Sequence, residues 1–136
     1  MTHRTACFVD TFALLALLNP ADAMHRVTRR WFDASRRPLL LTDWILVELA
    51  DGLCAARTRQ AFLTIERRLR GDGRVTIVPA SRALLDRGLA LYAARPDKDW
   101  SLTDCTSFTV MAERGLTDAL TGDRHFAQAG FVPLLA

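Results

Sequence analysis

Residues 7–18 read CFVDTFALLALL, an apolar run with one carboxylate, Asp10, near its middle. The β-rich residues before Asp10 predict a buried strand within residues 5–9, and those after it predict a short helix that ends at Asn19-Pro20. Asp10 is then the helix N-cap and follows the carboxyl end of the strand. Because open α/β sheets bind ligands at that edge, Asp10 is also a candidate ligand-site residue.

A secretory signal peptide is the alternative interpretation of this run, because Arg4 precedes it. Against it, such apolar regions normally lack an acid, and no small-residue cleavage site follows. Pro20 and Asp22 also end the run too early for a membrane span. We therefore expect a cytoplasmic protein with no membrane segment.

The composition is that of a globular protein, with 50% hydrophobic and 24% charged residues. A length of 136 residues fits a single domain, which we predict over residues 1–136. Cys7, Cys54 and Cys105 are odd in number, far apart and without metal-ligand spacing. We expect buried thiols in a reducing compartment rather than disulfides or a zinc site.

The positive charges are almost all arginine, with one lysine, Lys98, among 18 basic residues. Arginine binds phosphate with two parallel hydrogen bonds, which suits an RNA partner. A GC-rich coding sequence would favour arginine equally well. The net charge of +3 therefore does not by itself establish a nucleic-acid partner.

The strand-then-helix pattern recurs along the chain. Residues 37–42 and 74–80 each predict a strand, and helices follow from Asp43 and from Ser81. Further helices are predicted over residues 21–35, 58–70 and 101–115, and a short strand is predicted in DALT, residues 118–121. A short turn of helix near residues 124–129 and the segment FVPLL finish the chain. This alternation predicts an α/β fold with a mostly parallel central sheet between helices.

Four acids are expected near one edge of this sheet. Asp10 and Asp123 each follow a strand, Glu48 lies about a turn and a half into the second strand's helix, and Asp104 lies in the first turn after Ser101. Each has a structural explanation as well. Asp104 would complete a capping box with Ser101, Glu48 would bond to an arginine or Trp44 or face solvent, and Asp123 would form a turn.

Taken together, the four acids favour a metal site. Carboxylates held close together repel one another, so the arrangement persists only if a cation holds it. Oxygen ligands without paired His or Cys indicate Mg²⁺ or Mn²⁺. Such an ion activates water and binds phosphate, which predicts phosphodiester hydrolysis.

At these residues the chain resembles a known family. FVDTFALLALLN, LLTDWILVELADGL, DKDWSLTDCTSFTVMAERG and ALTGDRHFAQAGF are similar, in order and spacing, to the motifs of PIN-domain ribonucleases, in particular VapC-type toxins of VapBC toxin–antitoxin pairs. The resemblance covers residues 7–131, nearly the whole chain. It implies a three-layer α/β/α fold and Mg²⁺- or Mn²⁺-dependent endoribonuclease activity, as the toxin of a type II pair.

The resemblance also implies roles for individual residues. By motif position, the catalytic and metal-binding acids are Asp10, Glu48, Asp104 and Asp123. Thr11 and Thr121 match positions where a hydroxyl supports the site. Asp99 is a supporting candidate as well, although a charge on a surface loop explains it equally simply. The departure is Gly122, where relatives commonly carry Thr or Ser.

Within this set we expect Asp10 and Asp104 to contact the metal directly, and Glu48 and Asp123 to position water or a second ion. His3, His25 and His125 share no ligand spacing, so we expect none of them to bind metal.

Arg124 is the candidate RNA-binding residue, because it follows Asp123 directly. Arginines between Arg57 and Arg74 form a stripe that either follows an RNA backbone or is simply a solvated face.

The partners implied are an RNA substrate and a cognate antitoxin, with a homodimer or a complex with the antitoxin as the assembly. Three other interpretations stay open: a housekeeping PIN nuclease without antitoxin, a phosphoacceptor module resembling a response-regulator receiver, and a non-catalytic RNA- or protein-binding domain. A receiver would need a suitably placed lysine, and Lys98 lies in a predicted loop.

Overall fold

A five-stranded parallel sheet forms the centre of the computed structural model, which describes residues 5–136. The strands are β1 (Cys7–Val9), β2 (Leu39–Thr42), β3 (Val75–Val78), β4 (Asp118–Leu120) and β5 (Val132–Pro133). Their spatial order is β3-β2-β1-β4-β5, and every neighbouring pair is parallel. The predicted α/β class with a parallel sheet is therefore confirmed.

The helices connect successive strands, as parallel pairing requires. They are α1 (Thr11–Leu18), α2 (His25–Ala34), α3 (Asp43–Gly52), α4 (Arg59–Gly71), α5 (Arg82–Ala94), α6 (Leu102–Glu113) and α7 (Arg124–Gln128). With the sheet they make the expected α/β/α fold. No helix among the described residues is both long and apolar enough to cross a membrane.

Strand β1 lies at the middle of the sheet and of the core. It pairs with β2 through Phe8 and Leu40 and with β4 through Phe8 and Ala119. All three residues of β1 are completely buried, and the aromatic ring of Phe8 packs against that of Phe126 in α7. The apolar run that predicted this strand is thus covered on both faces, as in other parallel sheets.

Two element boundaries differ from those predicted. Helix α2 begins at His25 rather than near Ala21, because the side chains of Asn19 and Asp22 accept hydrogen bonds from the backbone N–H groups of Ala21 and Met24 and hold the chain in turns. Near the C-terminus, two residues of the predicted FVPLL segment pair with β4 as the edge strand β5. Pro133 is tolerated there because an edge strand has a free side.

Helix α1 begins where Asp10 predicted, but Asp10 does not cap it through its side chain. Asp10 has the extended N-cap backbone, with φ −88° and ψ 159°, and its carboxylate makes no capping hydrogen bond. In contrast, the capping box of Ser101 and Asp104 is present at the start of α6, with both hydrogen bonds formed. The Asp10 carboxylate is therefore available for another role.

The cysteines are only partly as expected. Cys7 and Cys105 are buried, and burial raises the pKa of the Cys7 thiol to about 12, so it stays protonated. Cys54 is exposed, which corrects the prediction of three buried thiols. It lies just past the end of α3, where the chain turns out into solvent.

Candidate active site

The pairing of β1 with β4 brings Asp10 next to Thr121 across 111 positions of sequence. The backbone N–H of Asp10 donates to the carbonyl of Leu120 at 3.3 Å. The Thr121 hydroxyl donates to Asp10 Oδ2 at 2.8 Å and accepts from the backbone N–H of Asp123 at 3.0 Å. One buried hydroxyl thus links the segments that carry the first and the last of the predicted acids.

The four predicted acids line one pocket at the carboxyl edge of the sheet. Asp10 follows β1, Glu48 lies in α3 after β2, Asp104 lies in the first turn of α6, and Asp123 follows β4. Among the described residues, Glu48 forms neither an ion pair nor a side-chain hydrogen bond, so it is not explained by a bond to an arginine or to Trp44. The remaining residues of the lining are Thr11, Phe12, Leu15, Gly52, Asp99, Ser101 and His125.

The pocket penalises the charged form of Asp10. Its side chain is buried, and this burial raises its pKa from 3.8 to about 7. The hydrogen bond from Thr121 opposes the rise, whereas the negative charges of Asp104 and Glu48 add to it. A cation bound beside Asp10 would favour the charged form of its carboxyl group.

Among the described residues, the group whose possible metal-ligand atoms lie close enough to share one ion includes a residue that the sequence analysis missed, His125, and does not include Asp10 or Glu48. One ligand atom each from Asp104, Asp123 and His125 lies within 4.8 Å of the others. His125 Nδ1 is 3.1 Å from Asp104 Oδ2 and 3.5 Å from Asp123 Oδ1. At these distances Nδ1–H donates to Asp104, so His125 acts most simply by orienting a carboxylate.

His125 reaches this place through the turn that Asp123 begins. Asp123 is the N-cap of α7, and its Oδ1 accepts from the backbone N–H of His125 at 2.9 Å. An acid followed two residues later by His at the start of a helix is therefore the signal that could have found it. The spacing of the three histidines with one another carried no such information.

The supporting candidates fall into different positions. Thr11 Oγ1 is buried and has no hydrogen-bond partner among residues 5–136, so it is an unsatisfied polar atom next to Asp10. Asp99 is exposed and lines the pocket from the loop before α6. Arg124 is exposed and does not line the pocket. Its predicted contact with RNA stays a prediction.

The donor set fits a divalent cation. The four acids supply carboxylate oxygens from four separate segments, and the unpaired Thr11 hydroxyl adds another oxygen beside them. Hard ions such as Mg²⁺ and Mn²⁺ take such ligands together with water. No Lys or Arg lines this pocket in the described part of the chain, so no internal cation balances the acids.

Sequence comparison gives the class of protein that this fold and site define. The family model of the PIN domain matches residues 7–132. The chain belongs to the PIN domain family, whose nucleases are hydrolases that act on RNA phosphodiester bonds and generally depend on divalent metals. The predicted family and enzyme class are confirmed.

Individual nucleases within this family are also similar to the chain. The chain is 34% identical over 129 residues to the 23S rRNA-specific endonuclease VapC20 of Mycobacterium tuberculosis, in strains CDC 1551 and H37Rv, covering 92% of this chain and 95% of the relative. The crystal structure of M. tuberculosis VapC20, described as a sarcin–ricin loop cleaving toxin, matches with a TM-score of 0.85 at 25% identity and covers 93% of this chain and 97% of that one.

A second solved structure supports the fold alone. FitAcB from Neisseria gonorrhoeae matches with a TM-score of 0.63 at 20% identity, over 93% of this chain and 94% of that one.

VapC toxins act on RNA and pair with VapB antitoxins. The chain thus has the fold and the nuclease class of a VapBC toxin.

Proposed function

We propose that this chain is a Mg²⁺- or Mn²⁺-dependent endoribonuclease and the toxin of a VapBC-type pair. The observation that carries the proposal is the convergence of Asp10, Glu48, Asp104 and Asp123 on one pocket, where burial raises the pKa of Asp10 to about 7. Such an arrangement costs stability without a cation, and it suits a site that binds a cation and a phosphate together. The metal roles of these residues are part of the proposal.

We assign each of the four acids a task, which for Asp10 and Asp104 follows from their contacts. Asp10 and Asp104 hold the cation, with Asp10 kept in place by the Thr121 hydroxyl and Asp104 by the His125 ring. Glu48 and Asp123 accept hydrogen bonds from water and align it for attack on the phosphorus atom. A bound divalent cation supplies Lewis acidity, which lowers the pKa of water and neutralises charge on the phosphate.

The substrate we propose is ribosomal RNA, the 23S molecule in particular. The support is the 34% identity to an endonuclease named for 23S rRNA over 92% of this chain. A chain that acts on ribosomal RNA works in the cytoplasm, which is the location we propose.

The protein partner we propose is a cognate antitoxin, bound to this chain as a heteromeric complex, with a homodimer of this chain as the free form. The support for an antitoxin is the likeness to VapC20, described as a toxin, over almost its whole length. An antitoxin is also the feature that separates this proposal from a housekeeping nuclease.

The first experiment is cleavage of purified ribosomal RNA by the purified chain with Mg²⁺ or Mn²⁺. The wild-type chain should cut the RNA, EDTA should stop it, and Asp10→Asn and Asp104→Asn should each lower the rate at least about a hundredfold. The matched control is Asp86→Asn, which removes the same charge from an exposed carboxylate of α5. Equal rates for all four proteins would refute the assignment.

The second experiment tests the toxin role. Expression of the wild-type chain alone should arrest growth, and co-expression of a small DNA-binding protein encoded next to it should restore growth. The Asp104→Asn variant should not arrest growth when it is expressed alone. Cleavage of RNA without growth arrest would instead favour a housekeeping nuclease.

A further inference from the structure

The pocket of acids has an apolar part that metal binding does not use. Phe12 and Leu15 line it from α1, and Gly52 lines it from α3. Phe12 and Leu15 are three residues apart, so they lie on the same face of their helix. A Cβ atom at Gly52 would be 3.8 Å from Cδ2 of Leu15, so the two helices approach closely here. The lining therefore joins a charged region to an aromatic one.

Packing of the core does not explain Phe12. Of the seven phenylalanines, Phe8, Phe32, Phe108, Phe126 and Phe131 take part in ring–ring contacts, and Phe62 packs against the core. Within residues 5–136, Phe12 does neither, and it is partly exposed. An aromatic ring that stays in contact with water inside a pocket is available to a ligand.

The ring of Phe12 is seated on Gly122. A Cβ atom added at Gly122 would lie 2.6 Å from Cζ of the ring and 2.9 Å from Cε1, which is far inside van der Waals contact. The position therefore has to be glycine while the ring stays where it is. This accounts for the absence of the Thr or Ser that the family resemblance led us to expect there.

The contact with Gly122 fixes the position of the Phe12 ring relative to the acids. Gly122 lies between Thr121, whose hydroxyl holds Asp10, and Asp123, which is itself one of the acids. Phe12 lies in the first turn of α1, two residues after Asp10, the N-cap of that helix. The ring thus lies against the segment that carries Thr121 and Asp123. The absence of a side chain at Gly122 leaves the space that the ring occupies.

We propose that Phe12 is a stacking platform for an unpaired nucleobase next to the phosphodiester that is cut. The proposal rests on the proposed ribonuclease function, and it adds a specificity-determining residue. Aromatic side chains in RNA-binding proteins stack on bases that are splayed out of a helix, whereas a base within a duplex has both faces covered. With the phosphate at the acids, the neighbouring base is the part of the RNA that can reach the apolar wall of the same pocket.

The alternative occupant, a second phosphate, fits poorly. Among the described residues the pocket lining offers no Lys or Arg, and the apolar part has no hydrogen-bonding side chain. A phosphate there would meet only Phe12, Leu15 and Gly52 and would lose its water without compensation. A flat π-face is the complementary surface for a base.

The experiment compares variants of Phe12 on a short synthetic RNA that spans a cleavage site mapped with the wild-type chain on total RNA. Phe12→Leu keeps an apolar side chain but removes the ring, and Phe12→Tyr keeps the ring. Phe62→Leu is the matched control, because Phe62 is outside the pocket and packs on the core. The same RNA is also made with an abasic nucleotide at each position near the cut, one at a time.

We expect Phe12→Leu to lower kcat/KM on the intact RNA about tenfold, mainly through KM, and Phe12→Tyr and Phe62→Leu to stay within about twofold of the wild type. The loss caused by Phe12→Leu should vanish on one abasic RNA, the one that lacks the stacked base. Mn²⁺ uptake by Phe12→Leu should equal that of the wild type, which shows that the metal site is intact.

Three results would overturn the inference. If Phe12→Leu cuts intact RNA as well as the wild type, or loses the same factor on every abasic RNA, Phe12 stacks on no base, although the nuclease function stands. If the wild type cuts no RNA at all, the proposed function is wrong, and this inference, which rests on it, is wrong as well.

A variant of the seat gives an independent check. Gly122→Ala places a methyl group where the ring now lies, so it should displace the ring and reproduce the tenfold loss of Phe12→Leu. Adding Gly122→Ala to Phe12→Leu should then cause little further loss. Additive losses would show that Phe12 and Gly122 act separately, which contradicts the proposed contact between the ring and Gly122.

Discussion

At the scale of single residues, Asp10 links the fold to the chemistry, because its carboxyl group is buried at the end of the central strand. The unfolded carboxyl group titrates near 3.8, and burial with nearby negative charge raises the folded pKa to about 7. Between these values the folded chain holds a proton that the unfolded chain releases. The contribution of Asp10 to the stability of the metal-free protein therefore falls as the pH rises from about 4 to about 7.

Replacing Asp10 by Asn removes this dependence. In EDTA, Asp10→Asn should match the wild type near pH 4, where both side chains are neutral, and should be more stable above pH 7 by at most about 4 kcal/mol. Urea unfolding of both proteins across this pH range measures the difference. Asp86→Asn, on an exposed carboxylate, should show no comparable trend. A wild type that becomes more stable relative to Asp10→Asn as the pH rises would contradict this account of Asp10.

His125 is the second residue that decides the site, through its ring contact with Asp104 at 3.1 Å. His125→Leu removes the donor and should weaken Mn²⁺ binding about 10- to 100-fold, which is typical when the partner of a metal ligand is lost. His125→Asn places an amide N–H close to the position of Nδ1, so it should recover most of the affinity. Calorimetric titration with Mn²⁺ distinguishes the two. Equal weakening by both variants would show that the ring does more than donate to Asp104.

At the scale of elements, the packing of α5 against α6 positions Asp104. A Cβ atom at Gly88 would lie 2.7 Å from Cγ2 of Thr106 and 3.3 Å from its backbone, so the two helices touch at this glycine. Thr106 is two residues beyond Asp104 in the same helix. The closeness of the helices therefore fixes both the core and the direction of the first turn of α6.

Gly88→Ala should consequently destabilise the protein by about 1–3 kcal/mol, even though alanine is the better helix former, because backbone would have to move. The control is Gly71→Ala at the end of α4, where a Cβ atom would meet nothing within 4 Å and stability should change little or rise. Thermal unfolding of both variants measures the effect. A Gly88→Ala protein as stable as the wild type would mean that the helices can separate without cost.

The sequence predicted what depends on neighbours along the chain. The apolar run of β1, the turn after it and the capping box of Ser101 are local patterns, and the parallel order then brought the four acids to one edge. It did not predict contacts between distant segments. The Thr121–Asp10 bond and the contact of Phe12 with Gly122 depend on three-dimensional packing between distant segments. The contact of His125 with Asp104 also depends on this packing, although the spacing of Asp123 and His125 was a local signal for the position of the ring.

Two local details also differ from those predicted, in each case because of side-chain hydrogen bonds. The late start of α2 came from side chains of Asn19 and Asp22 that compete with helical hydrogen bonds. Asp10 is the N-cap residue of α1 as predicted, but its side chain makes no capping hydrogen bond, and its Oδ2 accepts from Thr121 instead. In both cases a specific side-chain hydrogen bond changed what a local propensity predicted.

At the scale of the whole molecule, the question is how a chain with acids at its site binds a polyanion. The net charge of +3 is modest, so contact with RNA depends on where individual arginines lie. Several arginines of the predicted stripe are already engaged: Arg70 pairs with Glu66 in α4, and Arg74 pairs with Asp72. Arg124, exposed and directly after Asp123, stays the better candidate for phosphate contact.

If Arg124 contacts a phosphate, Arg124→Ala should weaken RNA binding and reduce the slope of log K against log salt by about 1. The matched control is Arg114→Ala, which removes the same charge just beyond the far end of α6, about 15 Å from Asp104 along the helix axis. Fluorescence anisotropy with labelled RNA over a range of salt concentrations gives both slopes. An unchanged slope for Arg124→Ala would remove it from the interface.

The central claim concerns the molecule as one unit: four acids carried by separate segments meet to hold a divalent cation. Its most direct test is Mn²⁺ uptake, followed by the electron paramagnetic resonance of free Mn²⁺, in the wild type and in Asp→Asn or Glu→Gln variants at residues 10, 48, 104 and 123. We predict saturable uptake by the wild type, affinity at least about tenfold lower for residues 10 and 104, and no change for Asp86→Asn. No uptake by the wild type, or uptake that none of the four replacements weakens, would contradict the account.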